Sequence, residues 1–276
     1  MHKKNSSYYI GLLVTSIVIG IAMIVFLLPM GYAILTSLKA PAEFLKNPLG
    51  FQFMPTLQNF VSAWKKASFQ SYLLNSLIYV VCCTFITLLC SLFISFPIAR
   101  KYISWSKGLY LLMICGMFLP DGTIPLFQML LQMNLYNTRI GYIISMLQIG
   151  GVSVMFFTSY LKSIPKELDE AAIIDGSGYF TYFLKIVVPL SKPAIASLAI
   201  LTAINVWNDI AKAVIFLSDN KLFPITKGLF VFSGQYSTSW TELMAAMVMV
   251  SLPLVILYIC MQKQVVGGLT AGSVKS

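Results

Sequence analysis

An all-α integral membrane fold of six transmembrane helices is what this sequence predicts, and three observations carry the prediction. Of the 276 residues, 58% are hydrophobic and only 10% are charged, whereas a soluble domain carries about a quarter charged residues. The mean hydropathy is +0.83. The apolar residues are gathered into six runs, each long enough to cross a hydrocarbon core that takes about 20 helical residues.

The first run, residues 5–38, is free of charge over 34 residues. Lys3 and Lys4 before it imitate a signal peptide, but such a peptide has an apolar core of roughly 7–15 residues. An uncleaved first span over about 10–36 is therefore expected. Residues 39–71 hold four lysines, Glu43 and three prolines, which makes a loop outside the lipid with a short surface helix over 59–66. The second span covers about 72–99 and ends at Pro97 and the Arg100-Lys101 pair. The third covers about 108–131, with Asp121 inside it beside Pro120, Gly122 and Pro125. An acid among helix breakers at membrane depth suggests a broken helix or a cavity-facing position, or else a site near an interface. The fourth span, about 140–161, is free of charge.

A charged loop over 162–190 follows. Four of the nine acidic residues sit in it within nine positions: Glu167, Asp169, Glu170 and Asp175. Pro165 suits the first turn of a helix, and the acids complement the positive end of its dipole. Gly176 suits the left-handed residue that ends it. Ser177 is placed to cap a second short helix running to Pro189. The small pair Ala171-Ala172 lets another surface approach the first helix closely, with Glu167 and Glu170 beside it to accept hydrogen bonds.

The fifth span, about 193–216, carries Asn205, Asn208, Asp209 and Lys212 on an otherwise apolar helix. Read as one continuous helix, it puts Asn205, Asn208 and Lys212 on one face bordered by Asp209, and Asp209 and Lys212 close enough to pair. Amides there can exchange hydrogen bonds with a polar solute, and the Trp207 ring can lie against an apolar face of one. Helix–helix hydrogen bonds are the structural alternative. A polar loop over 217–241 precedes the sixth span, about 242–261, where Pro253 predicts a kink. The whole chain reads as one transmembrane domain.

Composition excludes several classes of activity. The only histidine is His2, which leaves histidine-based catalysis and zinc chemistry without material. The five cysteines lie in apolar runs with no metal-site spacing, so neither a metal site nor a disulfide framework is expected. No G-x-x-x-x-G-K-[ST] phosphate loop occurs, so ATP chemistry would need another subunit. The net charge of +10, in a chain of this kind, points to lysines at anionic lipid headgroups and not to nucleic acid.

The loop over 163–193 resembles the EAA loop of bacterial ABC importer permeases: E-A-A, three residues, Gly, nine residues, then I-x-L-P. Glu170-Ala171-Ala172, Gly176, Ile186 and Pro189 match it, with Val188 in place of the usual Leu. Further matching pieces are N-S-L at 75–77, P-I-A-R at 97–100, I-P-L-F at 124–127, W-N-D at 207–209 and G-L-T-A-G-S-V-K at 268–275. Together they resemble the smaller permease subunit of maltose-type carbohydrate importers. The resemblance implies a type I importer core acting as a permease and not as an enzyme. Its partners would be a second, related permease, two ATPase subunits that bind ATP and Mg, and an extracellular sugar-binding protein. It implies ATPase docking through Glu167, Glu170, Ala171, Ala172, Asp175 and Gly176, and a translocation path with Asn205, Asn208, Asp209 and Asp121. Gln235, Tyr236 and Trp240, in a loop like the family's scoop loop, would contact the binding protein, although a Tyr/Trp anchor at the membrane interface is the simpler role for Trp240. The tail 267–276 would lie extended between the ATPase subunits.

The resemblance also implies a bacterial plasma-membrane location with both termini cytoplasmic. Eleven Lys/Arg fall in the segments placed inside and eight outside, which agrees weakly, so the EAA loop sets the orientation. An importer for another small solute shares that loop, and a membrane scaffold subunit shares the polar intramembrane residues. Scarcity of intramembrane acids favours sugar over cations.

Overall fold

The computed structural model describes residues 6–51, 54–66, 68–119, 122–232 and 239–273, and among these it is helical without strands. The helices are α1 (Ser6–Ser37), α2 (Pro41–Lys46), α3 (Gln58–Lys66), α4 (Phe69–Arg100), α5 (Ser106–Cys115), α6 (Thr123–Gln132), α7 (Arg139–Met146) and α8 (Gly151–Ser163). They continue with α9 (Glu167–Ile174), α10 (Tyr179–Tyr182), α11 (Val188–Leu190), α12 (Lys192–Asn208), α13 (Ala211–Phe216), α14 (Ile225–Gly228) and α15 (Trp240–Ser273). A π-helical turn, Phe183–Val187, joins α10 to α11.

Three helical stretches are long and apolar enough to cross a membrane alone: Gly11–Ser37, Phe69–Arg100 and Trp240–Gln262. Three bent pairs, Ser106–Phe118 with Thr123–Gln132, Arg139–Met146 with Gly151–Ser163 and Tyr179–Leu190 with Lys192–Asn208, bring the number to at most six if each pair is one span. The helical stretches Ser106–Phe118 and Thr123–Gln132, on either side of residues 119–122, turn by 102°. That agrees with a broken third span, while Asp121 itself lies outside the described residues.

The stretch expected as the fourth span, about 140–161, holds a break where α7 and α8 meet at 58°. The cause is Gly150 and Gly151, with φ of 105° and 50°, a region that side chains with a Cβ rarely adopt. A break at membrane depth frees backbone groups that must find partners. Here Gln148 N–H donates to Thr87 Oγ1 at 3.3 Å, and Ser153 Oγ donates to the Gln148 and Gly150 carbonyls at 2.9 and 2.8 Å. Ser91 and Ser153 share a 2.8 Å hydrogen bond, and Ser95 Oγ donates to the Val154 carbonyl at 3.2 Å. Serines thus hold α8 close against α4, as small polar residues do between membrane helices.

The chain divides into two compact units. The first comprises residues 1–69 and 229–252. In it α1 is apolar all round, and its most apolar stretch buries nothing within the chain, which suits lipid. Asn59 Nδ2 donates to the Ser37 and Lys39 carbonyls at 2.8 and 2.7 Å, tying α3 to the end of α1. The surface helix expected over 59–66 is α3, and α2 is an addition to it. Lys66 and Glu242 pair at 2.7 Å with the lysine well exposed, a contact worth at most about 1 kcal/mol.

The second unit comprises residues 70–228 and 253–276. It holds two cores. One gathers Phe96, Phe157, Leu161, Ala172, Phe183 and Leu198, and the other Tyr79, Tyr142, Met146, Val206 and Phe216. The last helix passes through Pro253 and stays helical to Ser273, so the extended tail expected from residue 267 is helical instead as far as that residue.

A Cβ at Gly141, in the first turn of α7, would come within 2.0 Å of the Leu135 carbonyl oxygen. That oxygen is backbone and cannot swing aside, since Leu135 N–H is itself bonded to the Leu130 carbonyl at 2.8 Å. Gly141→Ala should therefore destabilise the protein by about 1–3 kcal/mol, seen as a lower Tm in detergent. Gly108→Ala in α5, where a Cβ meets nothing within 4 Å, should leave Tm unchanged or raise it. Equal melting of the two variants would contradict this packing.

Candidate functional site

The acidic loop forms the helix–turn–helix expected, and its first helix, α9, has two distinct faces. Asp169 and Ala172 turn inward, with exposures of 9% and 4%. Glu167, Leu168, Glu170, Ala171, Ile173 and Ile174 face outward, the two isoleucines at 71% and 85%. Ala172 thus belongs to its own chain's core, in the cluster that also holds Leu161 and Tyr182, and is not on the open surface with Ala171. Pro165 precedes the helix, which Lys166 opens without a side-chain cap.

Gly176, at φ 71°, closes α9. Its N–H donates to the Ile173 carbonyl at 3.0 Å and the Ser177 N–H to the Ala172 carbonyl at 2.9 Å, the paired bonds of a Schellman ending. A Cβ there would meet nothing within 4 Å, so the demand for glycine is conformational. Ser177 does not cap the next helix: Gly178 stands at the start of α10, which has no side-chain cap.

What fastens α9 is a side chain from α4. Arg100 Nε lies 2.8 Å from Asp169 Oδ2, with the side chains 2% and 12% exposed. The Nε–H is not aligned for a hydrogen bond, so the contact is one of charge. Arg100 Nη1 donates to the Ile164 carbonyl at 3.0 Å, and the Tyr182 hydroxyl donates to Asp169 Oδ1. One guanidinium thereby holds both the approach to α9 and its buried carboxylate, and Tyr182 ties that carboxylate to α10.

Around this cluster Phe96, fully buried, packs its ring within 5.4–5.8 Å of Tyr102, Tyr179, Tyr182 and Phe183. Burial, and then the Asp169 carboxylate, push the Tyr102 phenol up against the opposing pull of Arg100. It stays neutral at cellular pH. Arg100, Asp169, Tyr182 and Phe96 were absent from the sequence-based site. The R closing P-I-A-R and the place of Asp169 in the acidic cluster were the signals for two of them, and nothing in the sequence joined the two.

The fifth span is also corrected. Helix α12 ends at Asn208, and α13 begins at Ala211, so Lys212 does not share a continuous face with Asn205 and Asn208. The agent is Asp209, whose Oδ1 accepts the Lys212 and Ala213 N–H groups at 3.0 and 3.3 Å. It caps the start of the new helix. The Lys212 ammonium donates instead to the Ser145 carbonyl at 2.7 Å. Asn205 and Asn208 are exposed, whereas Trp207 is 4% exposed, inside the protein and out of reach of a ligand ring.

The following loop is bound down by the start of α4. Asn75 Nδ2 donates to the Lys221 and Phe223 carbonyls at 2.8 and 3.2 Å, Ser76 Oγ accepts the Ile225 N–H at 2.8 Å, and Tyr79 donates to the Leu222 carbonyl at 2.8 Å. Lys227 Nζ donates to the Ala213 and Leu217 carbonyls at 3.1 and 2.6 Å, just where α13 ends. These bonds give the N-S-L piece a physical task. Gln235 and Tyr236 lie outside the described residues, and Trp240, half exposed, opens α15.

Comparison with known proteins gives this geometry a family. The Melibiose/raffinose/stachyose import permease protein MelC of Bacillus subtilis is 31% identical over 252 residues, covering 90% of this chain and 91% of that one. The Arabinooligosaccharides transport system permease protein AraQ of Halalkalibacterium halodurans is 31% identical over 281 residues, covering 99% of each. A bacterial ABC transporter involved in the import of the acidic polysaccharide alginate has a chain that matches with a TM-score of 0.85 at 21% identity, over 95% of this chain and 99% of that one. The type I importer permease fold is therefore shared. The model of the binding-protein-dependent transport system inner membrane component family matches residues 91–270, and the chain belongs to that family.

Proposed function

We propose that this chain is one of two related membrane subunits of an ATP-driven importer for di- or oligosaccharides, working with an extracellular binding protein. Two ATPase subunits would supply ATP binding and hydrolysis, and α9 would be the helix that receives their motion. The observation that carries this reading is the two-faced construction of α9. One face is fixed to α4 by a buried ion pair. The other leaves Ile173 and Ile174 bare beside Glu167 and Glu170. Adjacent exposed isoleucines on a charged loop call for a covering surface, and carboxylates beside them offer that surface specific hydrogen bonds. Ala171 gives it close access, while Gly176 and Asp175 set the angle of the exit. With α9 on the cytoplasmic side, both termini lie there too. The sugar class rests on the names of the relatives and on the uncharged amides of α12.

Docking predicts different outcomes for neighbouring residues. Ile174→Glu should leave membrane levels normal and cut co-purifying ATPase at least tenfold. Ala172→Arg should instead lower the amount of folded permease, because the charge would enter this chain's own core. Gly176→Asn should be milder than Gly176→Val, since asparagine tolerates a positive φ and valine does not. Full ATPase retention by Ile174→Glu would remove α9 as the docking element.

Asn205 and Asn208 stand exposed on α12 while Trp207 is buried, so the amides and not the indole would meet the sugar. Asn205→Ala and Asn208→Ala should weaken uptake or alter sugar preference in a complex that still assembles and hydrolyses ATP. Asp209→Ala removes the cap of α13, a loss of about 0.5–2 kcal/mol, and should lower the yield of assembled complex. Loss of the second permease from the asparagine variants, with normal assembly of Asp209→Ala, would reverse these roles.

A further inference from the structure

A cavity of about 650 Å³ opens at the elbow between α4 and α5, lined by Ile98, Lys101, Ile103, Ser104, Ser106, Lys107, Tyr110, Leu111 and Lys162. We infer that it is a binding site for the phosphate headgroup of an anionic phospholipid. Three of its residues are lysines and none is acidic. The ion pairs among the described residues are Lys66–Glu242 and Arg100–Asp169, so these three ammonium groups have no carboxylate partner there. Three like charges around one cavity repel each other, and an anion between them removes that cost.

The backbone agrees. Lys101 adopts φ 59°, a left-handed position where glycine escapes the steric penalty that lysine bears. The Lys101 and Tyr102 N–H groups donate to the Ile98 and Pro97 carbonyls at 3.3 and 3.0 Å, so this lysine is the residue on which α4 terminates. A strained residue kept at the rim of a cavity is a reasoned pointer to a ligand. The first turn of α5 meets the same cavity, and its start has no side-chain cap, which adds the positive end of a ten-residue helix. Lys162, in the last turn of α8, sits 5.2 Å from the centre of the Tyr110 ring.

The site's depth selects lipid over a soluble anion. It lies at the end of the spanning helix α4, where headgroups begin. Ile98, Ile103 and Leu111 give its wall an apolar part that acyl chains can continue along. Trp105, exposed on the same elbow, is of the type that settles at the membrane interface. Basic pockets between membrane helices are known to take anionic headgroups. The inference depends on α4 and α5 lying in a bilayer and not on the identity of the transported solute.

The test is native mass spectrometry of the intact transporter, delipidated and titrated with phosphatidylglycerol or phosphatidylcholine. The variants are Lys101→Gly, Lys107→Gln, Lys162→Gln and the three combined. Each lysine near an anionic surface contributes about a fivefold factor in affinity, so the triple variant should bind phosphatidylglycerol roughly a hundredfold more weakly. Lys101→Gly relieves backbone strain while removing charge, so it should raise thermal stability and still lose about fivefold in lipid affinity. Equal retention of phosphatidylglycerol by the triple variant would overturn the site, as would equal binding of phosphatidylcholine by the unaltered transporter. Displacement of the lipid by millimolar inorganic phosphate would mark the site as one for free phosphate and overturn the lipid assignment. Loss of the ATPase from the lysine variants, with lipid binding intact, would make the cavity a protein contact instead.

Discussion

The charge contact between Arg100 and Asp169 is the constraint on which the rest of the construction around α9 depends. A helix of eight residues is too short to hold itself in water, and α9 sits on the end of a membrane span with one face bare. Its orientation must come from outside. A carboxylate taken from water at nearly full burial would be costly alone, and so would a guanidinium. Removing one partner of such a pair typically costs 3–5 kcal/mol, even though the intact pair adds little net stability. The pair therefore specifies position more than it adds strength. That is the property α9 would need in the proposed coupling role, because a push on it can reach α4 only if the two cannot slide past one another.

Broken helices are the second theme. A continuous α-helix satisfies its own backbone, so each break at membrane depth requires local partners. At 147–150 they come from Thr87 and Ser153, and at 209–210 from the Asp209 carboxylate and Thr226, whose hydroxyl donates to the Asp209 carbonyl at 3.0 Å. The outcome is that the polar residues of these spans are largely spent on the protein's own backbone. Asn205 and Asn208, at the end of α12, are among those whose side chains stay exposed.

Much of the fold was legible because lipid imposes a coarse rule: long apolar runs cross, and charged intervals do not. The uninterrupted spans at α1, α4 and α15 follow from that rule directly, and the break near Asp121 followed from its prolines and glycine. The break at Gly150-Gly151 was missed because hydropathy does not register it, although adjacent glycines are a known turn signal. Asp209 was read as an ion-pair partner on a helix face, when an Asp ahead of a short apolar stretch equally marks a helix start. Ala172 and Ala171 look interchangeable in the sequence, and only the burial of Ala172 in the core tells them apart. The pairing of Arg100 with Asp169 spans 69 positions, and single-sequence patterns carry no information at that range.

A double-mutant cycle on the two charged residues addresses the central claim most directly. Arg100→Met, Asp169→Leu and the combined variant would be compared in reconstituted complexes by sugar uptake per ATP hydrolysed. Each single change leaves an unpaired buried charge and should reduce coupling at least tenfold. The combined change leaves none, so it should recover most of the loss, an interaction of more than about 1 kcal/mol. If the two losses simply multiply, Arg100 and Asp169 act independently, and α9 is held in place by something other than their contact.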